Sequence, residues 1–442
     1  MNNPAHISPQ RRQEIVDALR RGTVPRAGLD AFAVNLDRFE AAIDGELDVV
    51  RRGGAHFKAV RGEYGSGKTF FARWLQERAK RAGFATAEVQ ISETETPLHR
   101  LETVYRRLIE RLSTTDTPDG ALRTILDGWF YALEEDVLSE GRLTEQDTSA
   151  LIERTNDLME KRLASISRKA PMFSAALRGY RSALSAQDIA TADGLIAWLA
   201  GQPNVAARAK QAAGIRGEID HFGAMGFLQG LLVVLRDSGH PGLVLVLDEV
   251  ETLQRVRRDV RDKALNALRQ LIDEVDAGQF AGLYLVVTGT PAFFDSPQGV
   301  QRLPPLAQRL HTDFSGEARF DNPRAVQIRL LNFDLDALCE VGRRIREIYA
   351  THTATGERIR TVADDAYIKD VAAAVTGKLG GRVGVAPRIF LKKLVDVLDH
   401  IDQFPDWDPR RHYALTVTDK ELNDQERHAA AAESVDEIEL DV

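Results

Sequence analysis

Eight residues, GEYGSGKT from Gly62 to Thr69, set three glycines, a lysine and a hydroxyl in the order G-x-x-x-x-G-K-[ST]. Glycines at these places let the backbone turn sharply and aim its N–H groups at a phosphate chain. The lysine neutralises the outer phosphates, and the threonine hydroxyl can ligate Mg²⁺. The flanks carry the context that such a loop requires. HFKAVRG before it suits a short buried strand, and FFARWLQERAKRAG after it repeats apolar residues at Phe71, Trp74, Leu75 and Ala79, which is helical spacing with Gly83 as a stop. Strand, loop and helix N-terminus together predict a phosphate-binding site built from Gly62, Glu63, Tyr64, Gly65, Ser66, Gly67, Lys68, Thr69 and Phe70. The plainer alternative is a flexible Gly/Ser loop.

A second segment supplies acids. In PGLVLVLDEVETL, Leu243 to Leu247 is an unbroken aliphatic run, as expected for a parallel strand buried on both faces, and it ends in Asp248 and Glu249. A carboxylate at the end of such a strand can hold Mg²⁺ together with Thr69, and the adjacent glutamate can activate water for attack on a γ-phosphate. An ordinary strand-to-helix turn with an acidic helix start is the alternative. A third run, AGLYLVVTGTPAFFD, is aliphatic from Leu283 to Val287 and is closed by Thr288, Gly289 and Thr290.

The elements that must position these groups follow from coarse pattern. SPQRRQEIVDALRRG reads as a capped amphipathic helix in an amino-terminal helical segment, residues 1–45. The loop and its strands fall in a core over 46–321. Some 180 residues separate Lys68 from Asp248, whereas a βαβ unit takes roughly 30 or somewhat more, so a helical insertion over about 115–222 is expected. Helical periodicity over 322–403 predicts an all-helical lid, and 404–442 reads as a polar, acidic tail.

Composition bounds the rest. The chain has 442 residues, 43% of them hydrophobic, enough for a large core and two or three domains. Its one cysteine, Cys339, excludes an intramolecular disulfide framework and sits in a periodic apolar run as a core filler. No apolar run is long enough to span a membrane and the amino terminus lacks an apolar signal region, so a cytoplasmic protein is expected. The net charge of −8 is uneven: twelve acids face three arginines over 116–160, and nine Lys/Arg face two aspartates over 161–216. Lys161, Arg162, Arg168, Lys169, Arg178 and Arg181, with Phe173 and Tyr180 between them, form either a contact for double-stranded DNA or the partner of the acidic stretch.

These residues carry two resemblances. The loop, the acidic strand and the strand closed by threonines resemble P-loop ATPases of the AAA+ superfamily, which implies an α/β fold with a parallel sheet. It also implies a sensor hydroxyl at Thr290, or failing that Thr288; the plainer alternative is that both hydroxyls only satisfy the turn before Pro291. Arg309 in LPPLAQRL matches the place of an arginine finger given to a neighbouring subunit, and Arg388 in GVAPRIFLKKL that of a second sensor arginine. The ordered series RRQEIVDALRRGTVP, GEYGSGKTFF, LVLDEVETL, VVTGTPAFFD, NPRAVQIRL and GVAPRIFLKKLVDVLD is similar, over nearly the whole chain, to the BrxC/BrxD-type ATP-binding proteins of bacterial BREX phage-defence systems. That resemblance implies ATP and Mg²⁺ as cofactors, an oligomer, and work beside other BREX proteins including a helicase-like one. An oligomeric ATPase acting on or near DNA, a slow nucleotide-dependent signalling switch of the STAND type, and a kinase are the readings in view. The kinase lacks any acceptor-binding signature.

Overall fold

The computed structural model describes residues 7–144, 146–378 and 386–414. The chain opens with α1 (Pro9–Arg20), which Ser8 caps through its hydroxyl and Pro9 starts, then α2 (Asp37–Arg51). The first strand, β1 (His56–Arg61), feeds α3 (Lys68–Arg81), and β2 (Ala85–Gln90) follows. Seven helices then intervene: α4 (Leu101–Arg111), α5 (Leu122–Ser139), α6 (Thr148–Lys169), α7 (Pro171–Ser185), α8 (Ile189–Leu199), α9 (Ala207–Ala212) and α10 (His221–Asp237). The second half runs β3 (Leu243–Asp248), α11 (Arg258–Asp276), β4 (Leu283–Gly289), α12 (Pro291–Asp295), α13 (Pro304–Leu310) and β5 (Gln327–Arg329). The last described helices are α14 (Leu335–Ala350), α15 (Gly356–Val362), α16 (Asp365–Lys378), α17 (Ala386–Gln403) and α18 (Pro409–His412).

The five strands form one parallel sheet in the order β2-β3-β4-β1-β5. After β1 the chain crosses to the far edge, works back through β3 and β4, and reaches β5 on the other side of β1. The carboxyl ends of β1 and β4 therefore flank a switch point, where a parallel α/β sheet leaves a crevice for ligands. Side chains alternate between the two faces with the period of a strand. Val244, Val246, Tyr284, Val286, Val60 and Ile328 join the core beneath α1–α3 and α14–α17; Leu243, Leu245, Leu247, Leu285 and Val287 join the core beneath α4–α11. Covering both faces explains the aliphatic runs of β3 and β4, which are buried along their whole lengths.

One charged residue breaks that apolar rule. Lys58 in β1 is 0% exposed; its ammonium meets Glu46 of α2 at 2.6 Å and donates to the carbonyls of Ala325 (2.8 Å) and Pro323 (3.1 Å). Tyr284 donates to the same glutamate from β4. The network ties α2, β1, β4 and the approach to β5 together, and hydrogen bonds to both charged groups are what make burial of such a pair tolerable.

Three sequence expectations change here. A boundary at residue 45 would cut α2, whose buried face Phe39, Ile43, Leu47 and Val50 continues without a break. Residues 404–414, the start of the expected polar tail, are tied to the helices before them. Arg358 donates to the carbonyls of Phe404 (2.8 Å) and Trp407 (3.1 Å), Trp407 stacks on His400, and Arg410 pairs with Asp364; the acidic stretch 431–442 lies outside the described residues. Three arginines of the basic segment pair with acids of the chain itself. Arg162 pairs with Asp237 (2.7 Å) and Asp136 (3.1 Å), Arg178 with Glu160 (3.0 Å), and Arg181, itself buried, with Glu134 (3.1 Å) while lying over the Phe130 ring. Phe173 and Tyr180 are buried. The acidic and basic helices thus pair with each other, which favours the internal-pairing alternative for these three arginines. Lys161 and Arg168 are exposed, and the Lys169 side chain lies outside the description.

Burial predicts contrasting costs. Lys58→Ala leaves Glu46 buried without its cation and should lower unfolding free energy by about 3–5 kcal/mol. Arg178→Gln removes an exposed pair and should cost less than about 1 kcal/mol. Chemical denaturation of both variants measures the difference.

Candidate nucleotide site

Gly65 and Gly67 have φ of 76° and 92°, a left-handed conformation that side chains with a Cβ rarely adopt, and these two positions let the chain bend back between β1 and α3. A Cβ on Gly62 would strike the Ser66 side chain. The bend turns the loop around its own lysine: Lys68 Nζ donates to the carbonyls of Gly62 (2.8 Å) and Glu63 (3.1 Å), with the Tyr64 ring 5.1 Å away. The Ser66 hydroxyl is buried with no hydrogen-bond partner. Burial pushes the Glu63 carboxyl and the Tyr64 phenol up.

Asp248 ends β3 and is 4% exposed. Thr69 Oγ1 donates to one of its oxygens at 3.1 Å from the first turn of α3, and Thr288 Oγ1 donates to the other from the end of β4. Burial pushes this carboxyl up, against the Thr288 hydrogen bond, which holds it down. The next residue, Glu249, sits at φ 60° in the left-handed region, its N–H donating to Thr288 Oγ1 at 3.2 Å. Its carboxylate accepts from Gln90 Nε2 at 2.8 Å, from the register partner of Asp248 at the end of β2. Glu251 follows on the turn Val250–Gln254. It is 5% exposed, neither carboxylate oxygen has a hydrogen-bond partner, and one lies 3.9 Å from Lys68 Nζ. Burial pushes this carboxyl up to about 7, against the pull of the Lys68 ammonium.

These groups line one cavity of about 810 Å³ with Tyr64, Gly65, Ser66, Gly67, Lys68, Thr69, Phe70, Asp248, Glu249 and Glu251 on its floor. The rest of its lining mixes apolar side chains, Val24, Pro25, Phe32 and Val34 from the segment after α1, Phe333 and Val341 near and in α14, and Leu391 of α17, with the polar Asn35, Asp37, Arg38, Arg319 and Asn332. Arg388 also lines it, with its guanidinium beside Gly22. The polar floor suits a phosphate chain and the apolar side chains a flat base.

Of the sequence-predicted residues, Tyr64 to Thr69, Phe70, Asp248, Glu249 and Arg388 line this cavity. Gly62 and Glu63 contribute carbonyls to Lys68. Thr290 does not reach the acids: its hydroxyl caps α12 by accepting from Phe293 N–H, and Thr288 is the hydroxyl on Asp248. Arg309 lies outside the cavity on α13, paired with Asp273 (2.7 Å) and Asp276 (3.1 Å) of α11. Gln90 and Glu251 were missed. A polar residue closing a strand gives no signal of its own, and Glu251 could have been noticed only as the third acid of DEVE.

The family described as BREX system ATP-binding protein BrxC/D matches residues 7–417. The chain belongs to this family. No curated protein matches it in sequence. As a BrxC/D-family member the chain is a BREX-system protein, with partners among the other BREX components, and ATP binding is the family's property. The cavity suits that ligand, and the paired hard oxygens of Thr69 and Asp248 suit Mg²⁺, which keeps waters and takes one or two protein ligands beside phosphates. Among the described residues no cluster of three or more His, Cys, Asp or Glu forms a metal cage, and no helix is long and apolar enough to cross a membrane.

Lys68→Ala removes a charge-assisted contact of ~1.5–3 kcal/mol, so ATP affinity should fall about 10- to 100-fold. Calorimetric titration of both proteins, with folding checked by circular dichroism, measures it.

Proposed function

We propose that this BrxC/D-family protein hydrolyses ATP in anti-phage defence, as an oligomer working on or near DNA in the cytoplasm. The observation that carries the reading is the buried Asp248 gripped by hydroxyls from the phosphate-loop helix and from β4, with Glu249 held beside it by Gln90. Lys68 and the loop N–H groups hold the phosphates; Thr69 and Asp248 would hold Mg²⁺, which would supply positive charge to the phosphate chain. Glu249 takes the proton of the attacking water, after leaving Gln90. Thr288, in contact with both acids' segment and one strand from the loop, fits the sensor better than Thr290. Arg388 closes on the phosphates from the helical lid.

Arg309 serves as a finger in a neighbouring subunit only after parting from Asp273 and Asp276. DNA contact through the basic segment narrows to Lys161 and Arg168, with partners of the helicase-like class supplying the remainder. A second reading, a slow nucleotide-dependent switch, is favoured by one observation: in this structure both Lys68 and Glu249 are held by the chain's own groups.

Turnover separates them. Glu249→Gln keeps its shape and loses the base, so ATP should bind normally while phosphate release falls about 10²-fold or more. Equal hydrolysis by wild type and variant removes Glu249 from the mechanism. A wild type limited to one turnover per site selects the switch.

The hydroxyls can be sorted as well. Thr288→Val should slow hydrolysis and, by leaving the buried Asp248 carboxylate and the Glu249 N–H short of a partner, also lower stability by about 1–3 kcal/mol. Thr290→Val should cost about 1 kcal/mol of stability as a lost helix cap, with hydrolysis near normal once folded. Phosphate-release rates and thermal melts of the two variants decide between them.

A further inference from the structure

Glu251 is the acid for which the phosphate-loop chemistry has no assigned use. Its neighbours Asp248 and Glu249 each accept hydrogen bonds from side chains, two hydroxyls for the first and Gln90 for the second. Glu251 accepts none from another residue. It is buried at the cavity floor with Lys68 Nζ, 3.9 Å away, as its ion-pair partner. Lys68 meanwhile gives its ammonium protons to the carbonyls of Gly62 and Glu63. In this arrangement the lysine is wholly engaged by the chain. An arriving phosphate must take the lysine while lying near a third acid in a dry pocket, where like charges repel far more strongly than in water.

We propose that Glu251 is a positioning residue that gates the site: its carboxylate holds Lys68 back before nucleotide arrives, and nucleotide enters as Glu251 takes up a proton. The inference rests on the reading that Lys68 and its loop bind the phosphates. The groups facing Glu251 are Lys68 on α3, Tyr64 on the loop, Asp248 on β3 and Glu249 on its own turn, with Arg255 acting on Tyr64. Of these only Lys68 favours the carboxylate, and burial outweighs it, so the acid is about half protonated near pH 7. Phosphates add negative charge and favour the protonated form further. The complex thus keeps the proton to higher pH than the empty site does, and affinity falls as pH rises above about 7, by at most tenfold per pH unit. A neutral carboxylic acid at this place also has an O–H to donate to a phosphate oxygen.

The test is calorimetric titration of the full chain with ADP, which cannot be turned over, in metal-free buffer between about pH 6 and pH 9. Glu251→Gln should bind about tenfold tighter than wild type near pH 8, and the two affinities should converge near pH 6. That convergence separates the charge on Glu251 from any titration of ADP itself, which both proteins share. Repeating the wild-type titration near pH 8 in two buffers of different ionisation enthalpy should show uptake approaching one proton per site, absent in the variant. Equal affinities at every pH, with no proton taken up, overturn the gate. If Glu251→Gln does not fold, the wild-type proton count decides alone, and zero uptake overturns the proposal. Failure of the underlying reading looks different: wild type and Glu251→Gln both ignore ADP at all pH values, which overturns gate and phosphate site together.

Discussion

Two hydroxyls on one buried carboxylate hold this site together. Thr69 comes from the helix after the glycine loop and Thr288 from the end of β4, and each takes one oxygen of Asp248. The arrangement needs β4 to lie between β1 and β3, and the sheet order provides that. Were β3 beside β1, there would be no intervening strand to carry Thr288 to the acid. Asp248 therefore links chain topology to chemistry: a change in strand order or register would separate the groups before any of them was mutated.

The two faces of the sheet divide the work of keeping that order. One face is covered by the helices between β2 and β3, whose oppositely charged surfaces pair through Arg162, Arg178 and Arg181 above a core that includes Trp129, Phe173 and Tyr180. The other is covered by the first three helices and the last ones, and this face also forms the wall of the nucleotide cavity. Lys58 lies in the first half of β1, three residues before its last residue, with Glu46 of α2 against it. Their buried pair fixes α2 against the strand, and hence fixes the start of the element that ends in the loop.

Patterns that repeat within a short window were legible in the sequence. The glycine loop, the acids after an aliphatic strand and the helical spacing of Phe71, Trp74 and Leu75 each lie within about a dozen residues, and each has a distinct local cause. The parallel α/β class followed from them. Contacts made across the sheet were not legible. Thr288 and Thr290 are equally polar in the chain, and only the register of β4 against β3 shows that one meets Asp248 while the other starts a helix. Gln90 reaches Glu249 because β2 pairs with β3, a fact no local window holds. The basic run of α6 and α7 pointed to phosphate contact or to internal pairing, and side-chain directions, not charge counts, chose the second for its buried and paired arginines.

The first described helix and one of the last are fastened to one another. Arg20 of α1 lies on Asp399 of α17, and Tyr349 of α14 donates to the same aspartate at 2.6 Å. The segment that leaves α1 forms one side of the cavity, and α17 contributes Arg388 and Leu391 to it. Shortening the protein into either of these helices would therefore open the cavity while leaving the loop Gly62–Thr69 and Asp248 in place. A truncation series on this fold reads as loss of ligand chemistry when what has been lost is a clamp.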